Sequence, residues 1–132
     1  MTYYMSASLK LPFDAAVAAT EAALKTEGFG VLTRIDVSQT MKTKIDKDMP
    51  PYLILGACNP GLAYEALSLE NKVGTMLPCN VVVRQDGEAV EVAAIDPVAS
   101  MQAIPNPALK EAAAMVREKL ARVIEALSRA AD

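Results

Sequence analysis

The residues best suited to chemistry in this chain are its two cysteines, Cys58 and Cys79. Neither has a histidine to work with, because the 132 residues contain none. That absence removes the usual general base near neutral pH, every Ser–His or Cys–His nucleophile pair and the commonest zinc ligand. It weighs against hydrolytic catalysis but leaves thiol exchange open. Cys58 closes an apolar run that begins at Tyr52, and Asn59-Pro60 follows it as a helix cap with proline at the first helical position. A thiol placed there faces unpaired N–H groups and the positive end of a helix dipole, both of which favour the thiolate. Cys58 is therefore the candidate reactive thiol, and Cys79 its candidate partner in a disulfide. Asn59 and Asn80, beside them, complete the candidate binding set. The same two sulfurs are a candidate soft-metal site: Cu(I) tolerates two sulfurs alone, whereas zinc would need a dimer or Asp/Glu to finish the site. The plainer reading is that both are small buried hydrophobes, since free cysteine is among the most buried residue types. Their separation of 21 positions (79 − 58) is not a recognised metal or redox spacing.

Other motifs are weaker. Lys42, Lys44 and Lys47 alternate with Asp46 and Asp48, which describes a solvated surface better than an anion site. Gly28-Phe29-Gly30 looks like part of a dinucleotide loop, but it follows a helix, enters a strand and lacks the third glycine. Glu65 and Glu70 do not share a helical face, so no paired-carboxylate site is visible.

The elements that must position the cysteines follow from periodicity. Met5, Ala7 and Leu9 alternate with Tyr4, Ser6 and Ser8, predicting a strand with one buried face. An Ala-rich helix follows, with Asp14 as its expected N-cap, Val17 and Leu24 on one face and Gly28 as its stop. The next strand is expected to place Phe29, Val31, Ile35 and Val37 on one face and Leu32, Arg34 and Asp36 on the other. Residues 38–49 read as a short helix or mobile loop, and Tyr52–Cys58 as a central strand. A helix over Pro60–Glu70 carries Leu62, Ala66 and Leu69 on one stripe. A hairpin with a two-residue type I′ turn at Asp86-Gly87 is expected to set Val83 opposite Val90, Val81 opposite Val92 and Cys79 opposite Ala94. After an irregular link or single helical turn, a last helix from Pro107 to about Ala130 shows a seam of Leu109, Ala113, Val116, Leu120, Val123 and Leu127. Glu118–Arg122 and Glu125–Arg129 are expected i,i+4 pairs on its wet face.

This order predicts one α+β domain over residues 1–132: a largely antiparallel five-stranded sheet (β-α-β4-α) with helices packed on one face, including the long C-terminal one. The outer face, expected to carry Leu32, Arg34, Val82, Arg84, Glu91 and one side of the third strand, is too apolar to be left fully wet, which points to a homodimer or an apolar ligand. At Gly56-Ala-Cys-Asn-Pro60, Leu77-Pro-Cys-Asn80 and Gly28-Phe29-Gly30 the chain resembles the bacterial and archaeal "domain of unknown function 302" family. The resemblance implies a TATA-binding-protein-like β-α-β4-α fold, often as a homodimer, and implies no reaction.

Composition bounds the rest. With 13 Lys+Arg against 16 Asp+Glu and a net charge of −3, nothing global attracts nucleic acid. No stretch approaches the roughly 20 apolar residues of a membrane span, and the first residues have neither the basic nor the apolar region of a secretion signal. A cytoplasmic protein with reduced cysteines is expected. Its expected function is that of a homodimeric binding module for a small ligand or soft metal near Cys58 and Cys79. A thiol-redox or sulfur-transfer protein working through Cys58 and a purely structural or regulatory domain are the alternatives. No cofactor can be named.

Overall fold

The computed structural model describes residues 2–130. Along the chain run β1 (Tyr4–Leu9), α1 (Phe13–Thr26), β2 (Gly30–Asp36), α2 (Val37–Ile45), β3 (Tyr52–Cys58), α3 (Pro60–Leu69), a 3₁₀ turn (Val73–Met76), β4 (Cys79–Asp86), β5 (Ala89–Ile95), α4 (Pro97–Ser100) and α5 (Pro107–Ala130). The five strands form one sheet in the order β1-β5-β4-β3-β2, and every neighbouring pair is antiparallel. This is the α+β arrangement expected from the sequence, with α1 and α5 lying on the inner face.

Strand alternation fills that face. Leu9, Leu55, Val81, Val83, Val90 and Val92 are essentially inaccessible to water. Leu24 of α1 and Leu120 and Val123 of α5 close over them. The expected seam of α5 is buried at Leu109, Ala113, Leu120, Val123 and Leu127, with Val116 half-buried. A second, smaller cluster gathers Ala66, Val73, Met101, Leu109 and Ala113. α5 thus serves two cores, one with each half of its length.

Several local expectations change. α1 begins one residue before Asp14, with Pro12 at the N-cap and no side-chain cap, because the proline supplies the extended geometry and has no N–H to satisfy. Its other end is as expected: Gly28 (φ 85) lets Phe29 N–H donate to the Leu24 carbonyl and Gly28 N–H to that of Lys25. Residues 38–49 are helical as far as Ile45, because Asp36 caps α2 by accepting from Gln39 N–H at 2.9 Å. Those hydrogen bonds, Gln39 first and then Ser38, hold the Asp36 carboxyl below its usual range.

β2 departs most from its pattern. The ladder to β3 shifts between Val31 and Thr33, a bulge that reverses the faces beyond it. Arg34, opposite Leu55, now lies on the inner side and pairs with Glu21 of α1, while Ile35 is set opposite Ile54 on the outer face. The hairpin register also moves by two residues. Val83 faces Val92, Val81 faces Ala94, and Asp86 faces Ala89, leaving Gly87-Glu88 as the loop. Gly87 takes a positive φ and Glu88 does not, which rules out the expected type I′ turn. A shift of two preserves which side chains face inward. On α5, Arg129 pairs with Glu125 as expected, but Arg122 reaches Glu27 at 2.9 Å instead of Glu118.

Leu120 closes the larger core from above. Leu120→Ala is expected to cost about 2–5 kcal/mol in urea unfolding; a loss below about 1 kcal/mol would mean that α5 does not hold the sheet.

Candidate functional site

Cys79 opens β4 opposite Ala57, and Cys58 ends β3 opposite Gly30, one position out of step with Cys79. The chain leaves the sheet there and turns into α3. Asn59 makes the turn: its Oδ1 accepts the Leu62 N–H at 3.3 Å and its Nδ2 donates to the Glu27 carbonyl at 3.4 Å. One amide thus caps α3 and ties it to the end of α1. Gly28 lies directly behind it, where a Cβ would stand 2.9 Å from Asn59 Nδ2. Gly56 is under similar pressure, since a Cβ there would collide with Thr33 Oγ1 and come 2.7 Å from Pro78 Cγ. The three sequence segments that carry the family resemblance therefore touch one another.

Around this junction lies an apolar cavity of about 300 Å³. The end of the sheet contributes Phe29, Ala57, Cys58 and Cys79 to it. α3 lines one side with Leu62, Ala63, Ala66 and Leu67, and the first half of α5 lines the other with Leu109, Ala112, Ala113 and Val116. Pro78 and Met101 complete the wall, and Leu32, the residue displaced by the β2 bulge, stands at its rim, 65% exposed. The volume has a simple cause: α3 and α5 face each other through alanines, whose short side chains leave space that larger residues would fill. The cavity lies between the two cores that α5 joins.

Of the four expected site residues, Cys58, Asn59 and Cys79 line this cavity, and Asn80 does not. Strand alternation turns Asn80 to the outer face of the sheet, where it borders a shallow groove with Tyr52, Val82 and Arg84. The sequence reading missed the α5 wall, Met101 and Leu32. A signal for the first was present, because the apolar seam begins at Leu109, well before the stretch needed to cover the sheet.

The cavity's chemistry is narrow. Asn59 is its sole lining residue with side-chain nitrogen or oxygen, and both ends of that amide are already engaged. No lysine or arginine lines it. Cys79 is 6% exposed, and burial, reinforced by Cys58, pushes its thiol up to about 11. Cys58 is half-buried. Among the described residues no group of three or more His, Cys, Asp or Glu stands close enough to hold a metal ion.

The sequence profile of a domain of unknown function, DUF302, matches residues 5–127. The chain belongs to the DUF302 family. Its fold is also that of a solved DUF302 protein, an uncharacterized conserved protein from Bacillus stearothermophilus. The two share 30% identity and align with a TM-score of 0.89 over 95% of this chain and 98% of that one. No curated protein matches the chain. Membership of the DUF302 family assigns no reaction to this junction.

Burial of Cys79 has a measurable consequence. Its folded pKa of about 11 exceeds the ordinary thiol value of 9.0, so the folded state keeps a proton that the unfolded chain releases. Stability is therefore full below about pH 9 and is lost as pH rises toward 11, by about 2–3 kcal/mol in all. Urea titrations should show Cys79→Ala without this component of the alkaline slope; identical slopes in the two proteins would show that the thiol is not desolvated.

Proposed function

We propose that this protein is a binding module for a small apolar molecule, held in the cavity between β3, α3 and α5 with Cys58 and Cys79 in its wall. The supporting observation is a cavity of about 300 Å³ in which apolar side chains surround two sulfurs and the amide that caps α3. Pockets of that order accept small ligands. A ligand in this cavity gains from the apolar surface it buries, whereas a polar one would lose its hydrogen bonds to water without replacement. The soft-metal and thiol-redox readings draw less support. A thiolate would find no cationic side chain in the wall, and the Leu62 N–H at the start of α3 is already taken by Asn59.

Saturation-transfer NMR with hexanol is expected to show binding to the native protein and its loss in Ala113→Phe and Val116→Phe, where the new ring fills the space. Absence of transfer in the native protein, or equal transfer in folded variants, would contradict this reading.

We also infer that a second copy of the chain covers the outer sheet face. Tyr4 and Ile35 are 40% and 49% exposed there, and Ile54 and Val82 lie beside them. Arg84 donates to Glu91 at 2.8 Å within the same face, so each copy brings both charges to a two-fold contact. Sedimentation should give a dimer for the native chain and a monomer for Ile35→Lys; a native monomer at high micromolar concentration would contradict the inference. Among the described residues no helix is long and apolar enough to cross a membrane.

A further inference from the structure

Most of the cavity wall is saturated hydrocarbon, which holds apolar molecules in proportion to the area they bury. Three lining residues break that uniformity. Phe29 brings an aromatic ring, Met101 a thioether and Cys79 a thiol, and none of the three is more than 6% exposed. They arrive from different elements. Cys79 and Phe29 belong to the core over the sheet, and Met101 to the smaller core at the first half of α5. Because the cavity lies between these cores, a molecule inside it meets soft groups from both. Met101 is also held in place. Its N–H donates to the Pro97 carbonyl at 3.0 Å, and Asp96, which caps the same short helix, accepts from Arg117 Nε at 2.9 Å.

These groups discriminate by electron distribution. An aromatic ring presents a negative face and positive edges, and Phe29 offers it an offset or edge-to-face contact. The polarizable thioether of a methionine packs favourably against such a ring. The Cys79 thiol, which burial keeps protonated well beyond neutral pH, is a weak donor that a π face accepts and a saturated molecule does not. A carbonyl or hydroxyl would accept as well, but so weak a donor does not replace the water that such a group gives up. Size agrees: an apolar cavity of about 150 Å³ is enough for benzene, and this one measures about 300 Å³.

We propose that the cavity selects planar aromatic molecules of one or two rings over saturated molecules of the same size. This rests on the apolar-ligand reading above and narrows it to a ligand class. The selection runs against plain hydrophobicity, because a saturated ring leaves water more readily than an aromatic one with the same carbon count.

The test compares toluene with methylcyclohexane, two molecules with one carbon skeleton, by headspace depletion over the native protein. Their affinity ratio is set against the ratio of their water-to-octanol partition. A shift of about tenfold toward toluene is expected, as two or three contacts with sulfur and ring supply. Toluene should also move the Met101 methyl resonance upfield through its ring current, and methylcyclohexane should not. Met101→Leu and Cys79→Ala should each bring the ratio toward that of partition while methylcyclohexane still binds. A native ratio equal to that of partition would overturn the proposal, as would a shifted ratio that survives in both folded variants. Hexanol binding measured in parallel separates the two levels. If hexanol binds and the ratio is that of partition, the aromatic preference falls and the cavity reading stands. If neither hexanol nor toluene binds, both fall.

Discussion

One helix has to satisfy two apolar surfaces that are not continuous. The second half of α5 covers the sheet through Leu120, Val123 and Leu127, while its first half meets α3, the 3₁₀ turn and Met101 through Leu109 and Ala113. The sheet half is packed tightly, with Leu120 fully inaccessible, whereas the alanines of the other half leave room beside α3. The cavity is what remains where the two clusters fail to merge. Asp96 fixes the geometry at the far side: it caps α4 through Val98 N–H at 2.9 Å and accepts from Arg117 Nε of α5 at 2.9 Å. This nearly buried carboxylate holds the short segment carrying Met101 against the helix.

The opposite wall is held as firmly. Asn59 joins α1 to α3, Gly28 makes space for it, and Gly56 allows Thr33 and Pro78 to close over the strand. These contacts need small residues and one amide in fixed places, but none of the groups is left free to react. Their evident work is to set the angle at which the chain leaves β3 and therefore the distance between α3 and α5. The thiols of Cys58 and Cys79 lie inside this frame. The glycine, asparagine and proline contacts can thus be understood as the frame of a cavity.

The strand and helix order was legible in the sequence because alternation and the α5 seam are strong, local signals. Gly28 and Asn59 were legible because helix ends demand particular residue types. The bulge at Leu32 was not, since one extra residue in an edge strand leaves no mark in an apolar pattern, yet it exchanged the faces of Arg34 and Ile35. The hairpin register escaped because Asp86-Gly87 and Gly87-Glu88 both contain the glycine that turns require, and the runs of valine fit either pairing. The site was half legible. Cys58, Asn59 and Cys79 stand together, but the wall facing them comes from Ala112, Ala113 and Val116, far along the chain. Small apolar residues on a helix announce burial and say nothing of an empty space beside them.

A crystal of the native protein under xenon pressure probes the space between α3 and α5, since xenon settles in apolar spaces. A xenon atom is expected between Ala113, Ala66 and Cys79, with no ordered water at that position in the unpressurised crystal. A cavity collapsed by contact between α3 and α5, or filled by hydrogen-bonded water, would contradict it.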